Sequence, residues 1–121
     1  NTKFSWNNYV DFKILDSLLY INSKNNFVLD GKLVVSIDEY NKIYKYLQTT
    51  KNLRRELKNI ELNFNYNFDH QVVDLNDIKI NGKINDNVNN VFKKINLDKN
   101  KLNNKIFFKK LINQAIEAYA G

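Results

Sequence analysis

Ile60-Glu61-Leu62-Asn63-Phe64-Asn65-Tyr66-Asn67-Phe68 alternates apolar and polar side chains without a break. A strand sends successive side chains to opposite faces, so the five apolar residues share one face and the four polar residues the other. A helix would scatter the same five around its circumference. At roughly 3.3 Å per residue the stretch spans about 30 Å, long for a strand. The face formed by Ile60, Leu62, Phe64, Tyr66 and Phe68 either covers an ordinary core or lines a groove for an apolar ligand.

The next segment upstream switches period. Tyr40, Ile43, Tyr44 and Leu47 recur at helical spacing, and Ser36-Ile37-Asp38-Glu39 has the spacing of a capping box that would open this helix. Leu53 and Leu57 suggest a further short turn. Before the helix, Phe27, Leu29, Leu33, Val35 and Ile37 share a strand phase, and Gly31 falls in it as a gap, the mark of a bulge or a close backbone approach. Asn25-Asn26 is the turn that leads in. Tyr9 to Leu15 and Ser17 to Ser23 are read as two earlier strands.

Downstream, Asp69-His70 is a tight-turn candidate, and Gln71 to Ile80 returns as the second arm of an antiparallel hairpin. Val73 and Leu75 share one phase, Ile78 and Ile80 the other, so a one-residue bulge near Asn76-Asp77 is needed to bring all four to one face. Asn81-Gly82 ends the arm with a strong turn signal. The last third is helical: Asn85 or Asp86 caps a helix carrying Val88, Val91, Phe92 and Ile95. After a polar break from Asp98 to Asn104, Phe108, Leu111, Ile112, Ala115 and Tyr119 form a second stripe, widened by Phe107 and Ile116. The whole is an α+β domain: a curved antiparallel sheet of about five strands, one intervening helix and two C-terminal helices.

A chain of 121 residues with 43% hydrophobic and 26% charged residues builds one domain, residues 1–121, with one core. It contains no cysteine, so disulfides and thiol chemistry are excluded. It contains no methionine either, which predicts a piece of a longer protein. No apolar run reaches the roughly 20 residues that span a bilayer. Lys93, Lys94, Lys99, Lys101, Lys105, Lys109 and Lys110 face only Asp98 and Glu117, so this segment holds +5 of the chain's +6.

The residues that most chemistries need are missing. The single His70 sits in a turn. Asp69, Asp74 and Asp77 point in different directions on an alternating strand and build no metal site. Gly31, Gly82 and Gly121 form no phosphate-cradling loop, and no serine has a base beside it. A non-enzymatic domain without cofactor or metal is expected. Nucleic acid is disfavoured, because the aromatics of 60–68 are interleaved with asparagine and not with lysine or arginine. The basic segment is a solvated face or a contact for anionic headgroups.

F-V-L-D-G-K-L (27–33), Y-N-K-I-Y-K-Y-L-Q-T-T-K-N-L-R (40–54), I-E-L-N-F-N-Y-N-F-D (60–69), L-N-D-I-K-I-N-G-K-I-N (75–85) and N-K-I-F-F-K-K-L-I-N-Q-A-I-E-A-Y-A-G (104–121) follow one another in this order. In order and wording they resemble the C-terminal region of AsmA-like proteins of the alphaproteobacterial type. The resemblance implies an envelope protein, periplasmic and anchored to the inner membrane. In that family long sheets curl into an apolar β-groove implicated in phospholipid transport to the outer membrane and in outer-membrane assembly. It implies no catalytic residues. Here the anchor and most of the sheet are absent, so the expectation is a tail piece closing one end of a groove. Ile60, Leu62, Phe64, Tyr66 and Phe68 are then the candidates for acyl chains, and Lys105, Lys109 and Lys110 for anionic headgroups. A basic nucleic-acid-binding or protein-interaction module is the alternative.

Overall fold

A computed structural model describes residues 2–6 and 8–121. Its antiparallel sheet runs in chain order: β1 (Thr2–Trp6), β2 (Val10–Ile21), β3 (Phe27–Ile37), β4 (Asn59–Asn67), β5 (Val72–Ile80) and β6 (Lys83–Ile84). A seventh strand, β7 (Leu97–Asp98), also pairs with β5. The helices are α1 (Tyr40–Tyr46), α2 (Asp86–Lys93), a four-residue α3 (Lys99–Leu102) and α4 (Lys105–Ala120). Five strands of five residues or more, one α-helix and a 3₁₀ turn (Lys51–Leu53) between β3 and β4, and a helical C-terminal third give the α+β class that the hydrophobic patterning indicates.

Two differences lie in the N-terminal third. Val10–Ile21 is one strand, not two, and its register against β3 shifts between Leu15 and Leu18. Asp16 sits there with φ 52, a left-handed bulge that moves the apolar phase by one residue. The fifth of these strands is instead β1, which pairs with Val10–Ile14. A matching bulge lies in β5, where Asp77 has φ 52 and the register against β4 shifts between Glu61 and Asn63. This is the bulge that the change of phase after Leu75 requires. Aspartate tolerates the left-handed region better than most residues, and both bulges use it.

β3 and β4 pair with Leu33 opposite Leu62 and Val35 opposite Ile60, so the apolar phases coincide on one face. Leu62, Ile78, Ile80, Tyr44, Leu57 and Val88 form the buried cluster on that face. Ala115, Ile116, Ala118 and Tyr119 of α4 close over it, with Ile60 and Phe64 from β4. The opposite face carries most of the polar side chains, although Val28, buried, and Val34 share it by register. Asn65 donates a hydrogen bond to Asp30, Asn63 donates one to Asp77 at 3.0 Å, and Lys32 pairs with Glu61 at 3.1 Å. Asn63 and Asn65 therefore work as cross-strand partners on the open face, while Asn67 accepts from the His70 N–H in the turn that follows β4.

Gly31 lies directly opposite Phe64, and a Cβ there would stand 2.5 Å from the ring's Cζ. The gap in the β3 phase is thus the seat of an aromatic ring from the neighbouring strand. Phe64→Ala is expected to destabilise the protein by about 3 kcal/mol, the low end for a half-buried phenylalanine, as measured by urea unfolding. Gly31→Ala should cost distinctly less in that background than in the parent chain. Equal cost in both would mean that the ring does not rest on Gly31.

The start of α1 differs from the capping-box expectation. Ser36 remains in β3, paired with Asp11 and Asn59, and the helix begins at Tyr40. Glu39 precedes it at φ 57 without capping it, and instead pairs with Lys42 at 2.9 Å. The other end is a Schellman motif. Gln48 is left-handed at φ 57, its N–H reaches Lys45 O, and the Thr49 N–H reaches Tyr44 O. Asn85, Asp98 and Asn104 cap α2, α3 and α4 through side-chain oxygens. The polar break at 98–104 is therefore ordered, mostly as α3.

Candidate functional site

The face carried by β4 is divided by the helices. Ile60, Leu62 and Phe64 lie in or against the core beneath α4. Tyr66 is half-buried, and Phe68 just beyond the strand is 46% exposed. Around these last two the register gathers Leu29 opposite Tyr66, Leu19 opposite Leu29 and Ile21 opposite Phe27. Leu19 is 54% exposed, Ile21 61% and Phe27 47%. The Tyr66 and Phe68 rings meet edge to face at 4.8 Å, and Phe27 and Phe68 do so at 6.3 Å. One end of the sheet thus presents a contiguous apolar, aromatic surface that runs without interruption into the core.

Leu19, Ile21 and Phe27 are the members that the five β4 positions alone do not include. A signal for them exists in the sequence, since Leu18-Leu19-Tyr20-Ile21 is apolar in both strand phases. Asp69 ties this end together: its Oδ2 accepts from the Phe27 N–H at 2.6 Å, beside the Phe68 N–H bond to Phe27 O at 2.9 Å.

The helices sit where specific polar bonds put them. Asn81 accepts from the backbone N–H of Lys58 and Asn59 through Oδ1, and donates to Glu56 O and the Tyr119 hydroxyl through Nδ2. Tyr119 in turn donates to Glu56 O, and Arg55 to Ala120 O at 3.2 Å. These bonds fix the end of α4 at the Ile80 end of β5. Its start follows β7 and α3, and β7 is paired with Val72–Val73 at the opposite end. At about 1.5 Å per residue the helix spans roughly 24 Å, and its last turns, Ala115 to Tyr119, are the part that meets the core.

Lys105, Lys109 and Lys110 are all exposed on the first half of α4, along with Ile106 and Phe108. Leu111 is buried, and Ala115, Ile116 and Tyr119 face the core. Between α2 and α4 lies an open groove of about 530 Å³, with Val91, Ile95 and Ala118 at its apolar side and Asn87, Lys94 and Gln114 among its polar lining. A smaller recess of about 170 Å³ on the polar face is ringed by Lys32, Glu61, Asn63, Asp77 and Lys79. Among the described residues no group of three or more His, Cys, Asp or Glu gathers. No helix among them is long and apolar enough to cross a membrane.

Tyr44 is fully buried, and its hydroxyl donates to Arg55 O at 2.7 Å. Burial pushes its pKa from 10.0 up to about 12, helped by Tyr119 and Tyr40 nearby. The folded state thus favours the neutral phenol, and this contribution is complete below pH 10.0 and is lost as the pH climbs towards about 12. The loss should be about 2–3 kcal/mol. Tyr44→Phe should remove that alkaline step from the pH profile of unfolding. A step of unchanged size would assign it to another group.

Compared with known protein families, with curated proteins and with solved structures, the chain matches none.

Proposed function

We propose that this domain is the non-enzymatic terminal segment of an AsmA-like envelope protein, and that its uncovered sheet end holds phospholipid acyl chains. The observation that carries the reading is the apolar face itself. It continues past the helices through Leu29, Tyr66 and Phe68 and spreads to Leu19, Ile21 and Phe27. Exposed apolar surface of this kind marks a binding site more often than an accident of composition. The segment would serve phospholipid transport between inner and outer membranes and outer-membrane assembly, from the periplasm, within a protein anchored in the inner membrane. Lys105, Lys109 and Lys110 supply cations for anionic headgroups, because long lysine stems lie along apolar surface while the ammonium stays in water.

The test is a titration with fluorescent phospholipid at rising salt. Acyl-chain binding should change little with ionic strength and should fall sharply in Phe68→Asp and Ile21→Asp, both exposed positions. Binding to RNA that weakens steeply with salt, with no lipid retained, would favour a basic nucleic-acid module instead.

A further inference from the structure

The two halves of α4 are placed differently. Ala115, Ile116, Ala118 and Tyr119 pack on the core and Leu111 is buried, but Phe108, one turn earlier on the same side, is 45% exposed. The helix therefore overhangs the core at its start. On its outward side Ile106 is 82% exposed, the most exposed large hydrophobic residue among the described side chains. Lys109 and Lys110 follow it at i+3 and i+4 and flank it on one helix surface. Leu102, 37% exposed, ends α3 just before.

Residues 99–116 hold five lysines, Lys99, Lys101, Lys105, Lys109 and Lys110, and no acidic residue. Among the described residues only Lys101 of the five has an ion-pair partner, Asp98 at 3.9 Å. A partner must therefore be anionic and must also take an aliphatic side chain out of water. The surface of an anionic bilayer does both: lysine stems lie along lipid while their ammonium groups stay with the phosphates. Nucleic acid would favour an arginine or aromatic platform, and Leu102, Ile106 and the five lysines offer neither. Protein interfaces are depleted in lysine. The corner also stands at the apolar end of the sheet. Six residues, 99–104, join α4 to β7, which pairs with Val72 and Val73, and these lie opposite Asn67 and Tyr66.

We propose that the α3–α4 corner docks the domain on the surface of an anionic phospholipid bilayer. Ile106 enters the headgroup layer, and Lys99, Lys105, Lys109 and Lys110 bind phosphates around it. The headgroups these lysines meet are those of the intact bilayer, not those of a lipid held at the sheet end. Docking in this way brings the end of the sheet that carries Tyr66 and Phe68 towards the membrane. What that end takes up there rests on the acyl-chain reading above; the docking itself does not.

Co-sedimentation of the whole chain with phosphatidylglycerol–phosphatidylcholine vesicles, against vesicles of phosphatidylcholine alone, tests this. Binding is expected only to the anionic vesicles and should weaken steeply with salt. Replacing both Lys109 and Lys110 with glutamine should weaken it by about 25-fold, at about 1 kcal/mol or five-fold for each lysine, with the melting temperature unchanged. The chain has no cysteine, so Ile106→Cys can carry a single environment-sensitive dye. Its emission should shift to the blue on anionic vesicles, whereas a dye at Lys83→Cys, at the other end of the sheet, should stay in water. Binding indifferent to vesicle charge or to the lysine substitutions would overturn the proposal, as would a dye at position 106 that does not shift. RNA binding without vesicle binding would assign the lysines to nucleic acid and sink it as well. Uptake of a soluble short-chain fluorescent phospholipid separates the two readings: Ile106→Asp should lose vesicle binding and keep that uptake. Loss of both together would make corner and sheet end one site and end the proposal.

Discussion

A chain ending at Asn104 should bind apolar dyes and aggregate under conditions where the whole chain stays soluble. Removing residues 105–121 strips Ala115, Ile116, Ala118 and Tyr119 from the cluster around Tyr44, Ile78 and Ile80, along with buried Leu111. Large side chains that lose cover each forfeit roughly 1.5–3 kcal/mol, and the core residues beneath lose cover as well. The sum rivals the roughly 5–15 kcal/mol that holds a domain together. The bonds from Tyr119 to Glu56 and Asn81 and from Arg55 to Ala120 go too, which frees the connection before β4. Dye fluorescence and light scattering are the readouts. A truncated chain with the parent's melting temperature would make α4 a detachable tail.

Asn89→Leu should cost about 1–3 kcal/mol, although leucine branches at the same carbon and suits a helix better. The Asn89 carboxamide is buried and makes three hydrogen bonds: to the Ile78 N–H, to Ile78 O and to Asn85 O at 2.8 Å. Ile78 O keeps a second partner in the Asn85 N–H, but the Ile78 N–H keeps none. Each buried polar group left unpaired costs about 1–3 kcal/mol. The loss falls beside the Asp77 bulge, so hydrogen exchange of Ile78 and Lys79 should quicken before the rest of β5. Unchanged stability would mean that water replaces the carboxamide.

Much of this architecture is written in local patterns. The alternation at 60–68 has only one structural solution, and the phase change between Leu75 and Ile78 demands the bulge that Asp77 makes. An identical phase change at Asp16-Ser17 was misleading, because these two residues are also good turn formers and suggest a break between strands. Ser36 and Glu39 have the right spacing for a cap. Yet the pairing of Ser36 with Asp11 and Asn59, distant in sequence, holds it in the sheet. The candidate site was legible only in part for the same reason. Alternation identifies the apolar face, but which half the helices cover is set by Asn81 and Tyr119, thirty-eight residues apart. Tyr66 and Phe68 thus look no different from Leu62 in sequence and differ from it in exposure.

Asn81-Gly82 also sets a chemical clock. In an unfolded chain this dipeptide readily loses ammonia as the glycine nitrogen closes on the asparagine carboxamide, and water opens the resulting succinimide to aspartate or isoaspartate. In the folded protein the carboxamide is held away from that attack, its oxygen by Lys58 and Asn59 and its nitrogen by Glu56 and Tyr119. The residue most prone to ageing is thus shielded by the contacts that seat α4. Each transient release of that helix exposes it, and once converted, Asn81 can no longer donate to Glu56 or Tyr119. Damage at this turn therefore records how often the protein has opened, and makes the next opening easier.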